Sequence, residues 1–239
     1  MYLVGLDLGQ ANDYTARCVV EQSGAILTER KLVEGSFARD LEQKLRGPVY
    51  DVVHLERERR ISYPEVVDNI ETLLAHPRIL TEGYRLCMDN TGVGRPIGDM
   101  LTSGGVSSLE RISITHGDTS RVDKETGAYH VAKSHLVNTF RSVLESGRIK
   151  IVPELPLAGA LKNEMMEFQM KISAKGHTSF EAAREQIHDD LIMSVMLAIY
   201  IGEQIDTQQK VVDETLQDIR GRDVTEWDIL NYGDEDGNS

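Results

Sequence analysis

Three acidic motifs, each at the edge of an apolar segment, constrain this chain of 239 residues more than any other feature. They are Gly5-Leu6-Asp7-Leu8-Gly9-Gln10, Met88-Asp89-Asn90-Thr91-Gly92-Val93-Gly94 and His188-Asp189-Asp190-Leu191. The first two put a carboxylate at the C-terminal end of an apolar strand. A right-handed helical crossover between those strands would make them parallel. If they are also neighbours, Asp7 and Asp89 emerge at one end of the sheet, about 4.8 Å apart. The third motif opens a helix whose Ile192, Val195, Met196 and Ile199 form an apolar face. A helix packed on the sheet by that face can bring its first-turn acid to the same end.

Three carboxylates so placed are hard oxygen ligands, suited to Mg²⁺ or Mn²⁺. Two such cations about 3.5–4 Å apart suit the in-line hydrolysis of a phosphodiester. Each motif also has a plainer reading. Asp7-Leu8-Gly9 alone is a strand-end turn, Asp89-Asn90 alone is a helix N-cap, and Asp189-Asp190 alone favours a helix N-terminus through the macrodipole. Their joint occurrence in matching topological slots supports a common site. Adjacent helical residues point about 100° apart, so spacing leaves Asp189 and Asp190 both open. Asp190, one turn before Ser194, is favoured as ligand, and Asp189 is a second ligand or a cap. His188 is read as a partner of a metal-bound water or as a simple cap-region histidine. Asp13 is read as an outer support of Asp7 or as an Asx-turn.

The remaining pattern is that of an α/β chain. Tyr2 to Leu8 reads as a central strand and Thr15 to Glu21 as an antiparallel partner. A third strand over Ile26 to Val33 and a helix over Phe37 to Leu45 follow. Val49 to Leu55 reads as an edge strand. Pro64 opens a helix to Leu74, with Val66, Val67, Ile70, Leu73 and Leu74 on its apolar face. Strands are predicted over Tyr84 to Met88, Leu109 to Thr115 and Arg148 to Val152. Helices are predicted from Pro96 to Leu101, Val131 to Glu145, Pro156 to Phe168 and Asp189 to Ile201. Residues 116–130 read as a mobile polar loop. Phe168 to Ser173 and His177 to Phe180, around Lys175-Gly176, read as a small hairpin. The domain reading is 1–205 for the α/β unit and 206–239 for an acidic, partly ordered appendage.

Composition decides less. Net charge is −13, which argues superficially against a nucleic-acid partner. Ten acidic and three basic residues from Asp206 onward account for −7 of it, leaving −6 for the first 205 residues. Nucleic-acid contact therefore requires a local basic patch. Cys18 and Cys87 lie in strand segments and read as buried free thiols. No signal peptide and no membrane-length apolar run occur. A reducing cytoplasm fits.

The motifs resemble the nuclease domain of the phage large terminase subunit over roughly residues 3–202. The carrying residues are Asp7-Leu8-Gly9-Gln10-Ala11-Asn12-Asp13-Tyr14-Thr15-Ala16, Asp89 to Gly94 and His188 to Ala198, with Lys133 and Gly176 in supporting positions. The resemblance implies a ribonuclease-H-like α/β fold, a mixed five-stranded sheet of order 3-2-1-4-5 flanked by helices. It implies metal-dependent endonuclease activity on double-stranded DNA, with Asp7, Asp89 and Asp190 as metal ligands and Asp189 as a possible further one. Two divalent cations, Mg²⁺ or Mn²⁺, are the implied cofactors. No Gly-x-x-x-x-Gly-Lys-Ser/Thr phosphate loop occurs in the 239 residues. Packaging would then need an ATPase partner, together with small-subunit or portal partners.

Candidate DNA contacts are Arg57, Arg59, Arg60, Arg95, Arg121, Lys124, Lys133 and Lys175, against a reading of each as solvated surface charge. Three rivals share parts of the pattern. A Holliday-junction resolvase would use the same acids in a dimer. An actin-like or sugar-kinase ATPase has a similar first phosphate loop but needs a duplicated domain. A non-catalytic DNA-packaging adaptor would keep the fold without turnover.

Overall fold

Tyr2 to Asp7 lacks any polar residue before its final acid, and it forms β1 (Tyr2–Asp7) in the middle of one sheet. The computed structural model describes residues 1–9, 13–24, 47–175 and 188–221. β2 (Tyr14–Ser23) returns antiparallel to β1, with Asp7 opposite Ala16. β3 (Val49–Arg59) continues the meander beside β2. Two helices, α1 (Tyr63–Leu74) and α2 (Pro77–Glu82), then carry the chain across to β4 (Tyr84–Asp89), which lies parallel to β1 with Leu6 opposite Met88. Ser62 and Glu65 form a reciprocal capping box at the start of α1, which fixes where the crossover begins.

α3 (Gly94–Ser103) leads to β5 (Leu109–Thr115), parallel to β4. The β6 (Arg121–Val122) and β7 (Tyr129–Ala132) hairpin follows, with β7 parallel to β5. α4 (Lys133–Glu145), β8 (Ile149–Ile151), α5 (Ala158–Lys175) and α6 (Asp190–Gly221) complete the order. The sheet reads β6-β7-β5-β4-β1-β2-β3-β8. The expected 3-2-1-4-5 order stands within it, extended to eight strands by β7 and β6 on one side and β8 on the other.

Alternation along the strands divides the side chains between two faces. Tyr2, Val4, Leu6, Leu86 and Met88 pack on Val66, Val67 and Ile70 of α1 and on Ile97 and Leu101 of α3. The opposite face of β1 carries Leu3, Gly5 and Asp7, and α6 lies against it. A Cβ at Gly5 would collide with the Ser194 carbonyl, and one at Gly202 would meet the Tyr50 ring and Leu3. These two contacts fix the direction of α6: it runs from the Asp7 end of β1 toward its start. Leu191, Ile192, Val195, Met196, Leu197 and Ile199 are all buried along this stretch. Cys18 and Cys87 are buried free thiols, and both stand opposite Gly5 in the register.

Three local expectations are corrected. Val49 to Leu55 is not an edge strand, because β8 pairs with its start in parallel. The charged run from Glu56 continues that strand to Arg59, with the buried Arg17 of β2 answering Glu56 and Glu58 across the ladder. Residues 116–130 are not wholly loop, since they contain β6 and the start of β7. Phe168 to Ser173 is no hairpin limb: α5 continues through it to Lys175, as expected of the helix-forming Glu164-Met165-Met166-Glu167 run before it. The expected strand over 26–33, helix over 37–45, hairpin limb over 177–180 and motif residues Gln10, Ala11 and Asn12 lie outside the described residues.

The chain divides into two compact units, Met1–Glu203 and Gln204–Ser239. Within the second, α6 remains helical to Gly221. No helix among the described residues is long and apolar enough to cross a membrane.

Candidate active site

Asp7 and Asp89 end adjacent parallel strands, one step beyond the Leu6–Met88 pair. Their strand parity is that of Gly5 and Cys87, which puts both on the α6 face. The turn after Asp89 is tight for identifiable reasons. Asp89 Oδ1 accepts a hydrogen bond from Thr91 N at 2.8 Å, Thr91 Oγ1 accepts one from Ile114 N at 3.3 Å, and Asn90 N donates to Ile112 O at 2.7 Å. Gly92 has φ 58°, and a Cβ at Gly94 would strike the Asp89 carbonyl. Asp89 thus makes an Asx-turn, not the expected N-cap; the cap position of α3 is Val93, without a side-chain bond.

α6 delivers the third acid. Asp189 O accepts from Met193 N at 2.9 Å, making Asp189 the N-cap residue and Asp190 the first residue of the helix. Asp190 is buried, and its Oδ2 has no hydrogen-bond partner among the described residues. His188 Nδ1 stands 3.7 Å from that oxygen and its ring meets Tyr14 edge-on at 4.7 Å.

The electrostatics tie the carboxylates together. Burial, followed by the negative charges of Asp190, Asp89 and Asp189, pushes the Asp7 carboxyl well above the usual carboxylate range, while Lys133 opposes the shift. Burial raises Asp89 too, against the Thr91 hydrogen bonds and Lys133. Burial and the Asp189 charge raise Asp190 to about 6, against His188 and Arg57. Burial is the first cause in all three, and repulsion between neighbouring carboxylates adds to it at Asp7 and Asp190.

Lys133 begins α4 immediately after β7 and acts on both Asp7 and Asp89. Arg57 donates to Glu164 Oε1 at 2.9 Å and lies 4.6 Å from the centre of the Tyr14 ring. Arg59 stacks on the same ring at 5.0 Å. Arg60, Arg95, Arg121 and Lys124 are exposed, and no described contact brings any of these four to the carboxylates. Asp13 is exposed beside Gly9, Thr15, Arg60 and Ser62 in a neighbouring cleft of about 660 Å³, and no described interaction joins it to the acids. Lys175 is described only as the last residue of α5.

Glu164 is the residue that sequence reasoning missed. It is 7% exposed on the inner face of α5, between Leu161 and Phe168, and burial raises it to about 7. Its Oε1 receives Arg57 and its Oε2 accepts Ile192 N at 3.0 Å. The available signal was an acid on the apolar i, i+3, i+7 stripe of Leu161, Glu164 and Phe168.

Among the described residues, no three acidic, histidine or cysteine side chains converge closely enough to hold one ion by themselves. The acids form an open set on one sheet end. Its chemistry nonetheless fits a hard divalent cation: all donors are carboxylate oxygens, one of them is buried with no hydrogen-bond partner among the described residues, and a cation would relieve the repulsion between them.

The fold that carries this set is α/β, with one mixed sheet holding the expected 3-2-1-4-5 order and helices on both faces. No protein-family model and no curated protein sequence matches the chain. Among solved structures, it is similar to the large terminase nuclease from thermophilic phage G20c, at 20% identity over 83% of this chain and 80% of that one, with a TM-score of 0.49. It is also similar to the human cytomegalovirus terminase nuclease domain, at 16% identity over 86% of each chain, with a TM-score of 0.44.

Proposed function

We propose that this protein is a metal-dependent endonuclease that hydrolyses double-stranded DNA, terminase-like, in phage or prophage DNA packaging. The observation that carries the reading is the position of Asp7 and Asp89 at the carboxyl ends of the two central parallel strands, with α6 packed on Gly5 so that Asp190 begins at the same end. The terminase assignment rests on the sequence motifs around these acids.

In this reading Asp7, Asp89 and Asp190 hold two divalent cations, Mg²⁺ or Mn²⁺, with Asp189 as a further ligand. The cations would supply Lewis acidity toward the attacking water and the leaving oxygen. The protein's own part is positional. β1 and β4 fix two carboxylates on rigid strand ends, and the close approach of α6 at Gly5 fixes the third. Lys133 tempers the negative field and can meet a DNA phosphate. Arg95, Arg121, Lys124 and Arg60 are exposed cations available to the DNA backbone, while Arg57 serves the site through Glu164. ATP-driven translocation would come from an ATPase motor outside these 239 residues.

Cleavage of supercoiled plasmid in Mg²⁺, Mn²⁺ or EDTA tests the proposal. Nicking and linearisation should depend on metal and disappear in Asp7→Asn and Asp190→Asn. No cleavage by the parent protein in millimolar Mn²⁺, or cleavage that survives both substitutions, would refute it.

A further inference from the structure

Glu164 is an unusual residue to bury. α5 turns an otherwise apolar stripe inward here, and a carboxylate in that position must find partners for both oxygens. It finds them on two different elements: Arg57 on β3 and the main-chain N–H of Ile192 on α6. Ile192 N is one of the first-turn amides that a helix cannot satisfy internally. Ordinarily the N-cap side chain accepts such an amide. The N-cap residue here is Asp189, and among the described hydrogen bonds its carboxylate accepts none of them.

We propose, building on the metal-site reading above, that Glu164 is a positioning residue for the acidic centre: it caps α6 from α5 and so frees the Asp189 and Asp190 carboxylates to face Asp7. The geometry explains several neighbours at once. Arg57 braces the outer oxygen of Glu164 and lies over Tyr14. Tyr14 supports His188 edge-on, and His188 stands beside Asp190. The first turn of α6 is therefore gripped through its backbone at Ile192, and among the described hydrogen bonds neither Asp189 nor Asp190 caps that amide. A self-capped helix would spend Asp189 on its own amides. Glu164 itself points both oxygens away from that duty, toward Arg57 and Ile192, and is not a ligand in this account.

The test uses the full chain and Mn²⁺ alone, followed by the loss of the free-ion paramagnetic resonance signal, so that it does not depend on DNA cleavage. Glu164→Ala should weaken Mn²⁺ binding at least about 10-fold, the scale seen when supports of metal ligands are removed. Amide exchange at Ile192 should quicken in the same variant. Glu164→Gln keeps a carbonyl oxygen for Ile192 N and should bind Mn²⁺ within about 3-fold of the parent, well short of the loss expected of a ligand. Leu161→Ala, on the same helix face, should lower stability with no change in Mn²⁺ affinity. If Glu164→Ala fails to fold, the Gln variant decides: a Mn²⁺ loss as large as that of Asp190→Asn makes Glu164 a ligand and overturns the proposal. Unchanged affinity and exchange in a folded Glu164→Ala protein also overturn it, leaving the metal site intact. A parent protein that binds no Mn²⁺ removes the site reading and this inference together.

Discussion

Along α6, two acids meet the sheet in opposite company. Near the start of β1, Glu203 accepts both Nη atoms of Arg148, at 2.6 and 2.9 Å, and the Tyr50 hydroxyl at 2.7 Å. At the other end of the strand, Asp190 has a buried oxygen with no hydrogen-bond partner among the described residues, and the charges of Asp7, Asp189 and Glu164 oppose those of His188 and Arg57 around it. Both acids sit on the same helix and are largely shielded from water. One closes a bidentate ion pair, which is a structural clasp. The other is held with like charges, an arrangement that costs stability unless something outside the protein compensates it. On the proposed reading, that difference separates a residue that serves the fold from one that serves chemistry.

Breaking each end should have opposite consequences. The largest expected effect is on cleavage: Asp190→Asn should reduce metal-dependent nicking by on the order of 1,000-fold or more, through loss of an electrostatic element of the transition state. Thermal melting without metal should show the same variant to be at least as stable as the parent near neutral pH. Arg148→Ala should do the reverse. It removes the countercharge of Glu203 and should cost about 3 kcal/mol in denaturant unfolding, with the specific activity of the folded fraction unchanged.

The pH dependence sharpens the contrast. Asp190 moves from 3.8 to about 6 and Glu164 from 4.5 to about 7, both upward. Between those limits the folded protein binds more protons than the unfolded chain, so stability falls as pH rises. Metal-free melting temperatures should therefore decline from about pH 4 to pH 7, and Asp190→Asn should flatten the decline. Saturating Mn²⁺ should oppose it by binding only the folded state. The smallest effect is at the exposed cations. Arg121→Ala and Lys124→Ala should each weaken DNA binding modestly and lower the salt-dependence slope by about 1 wherever a phosphate contact is lost.

Legibility in the sequence followed the range of the interactions. β1, β2, β4, β5, α1 and α3 are announced by apolar runs between turn residues, and the helical crossover made β1 and β4 parallel neighbours. Those strands present Asp7 and Asp89, so that half of the site could be read directly. Asp190 followed from a helix with one strongly apolar face. What escaped was decided by distant partners. β8 is legible as a short strand, but its parallel pairing with Tyr50 to Val52, which takes β3 off the sheet edge, is not. β7 hides at the end of a polar stretch and is a strand because β5 offers it an edge. Glu164 gains its meaning from Arg57 and Ile192, 107 and 28 residues away in sequence. Arg57, set down as a DNA contact, turns inward to that same glutamate.

The most direct test of the central claim is an anomalous difference map from crystals of the protein soaked in Mn²⁺. The account predicts two peaks about 3.5–4 Å apart, ligated by Asp7, Asp89 and Asp190. Mn²⁺ peaks elsewhere on the surface with none among these three acids would contradict it.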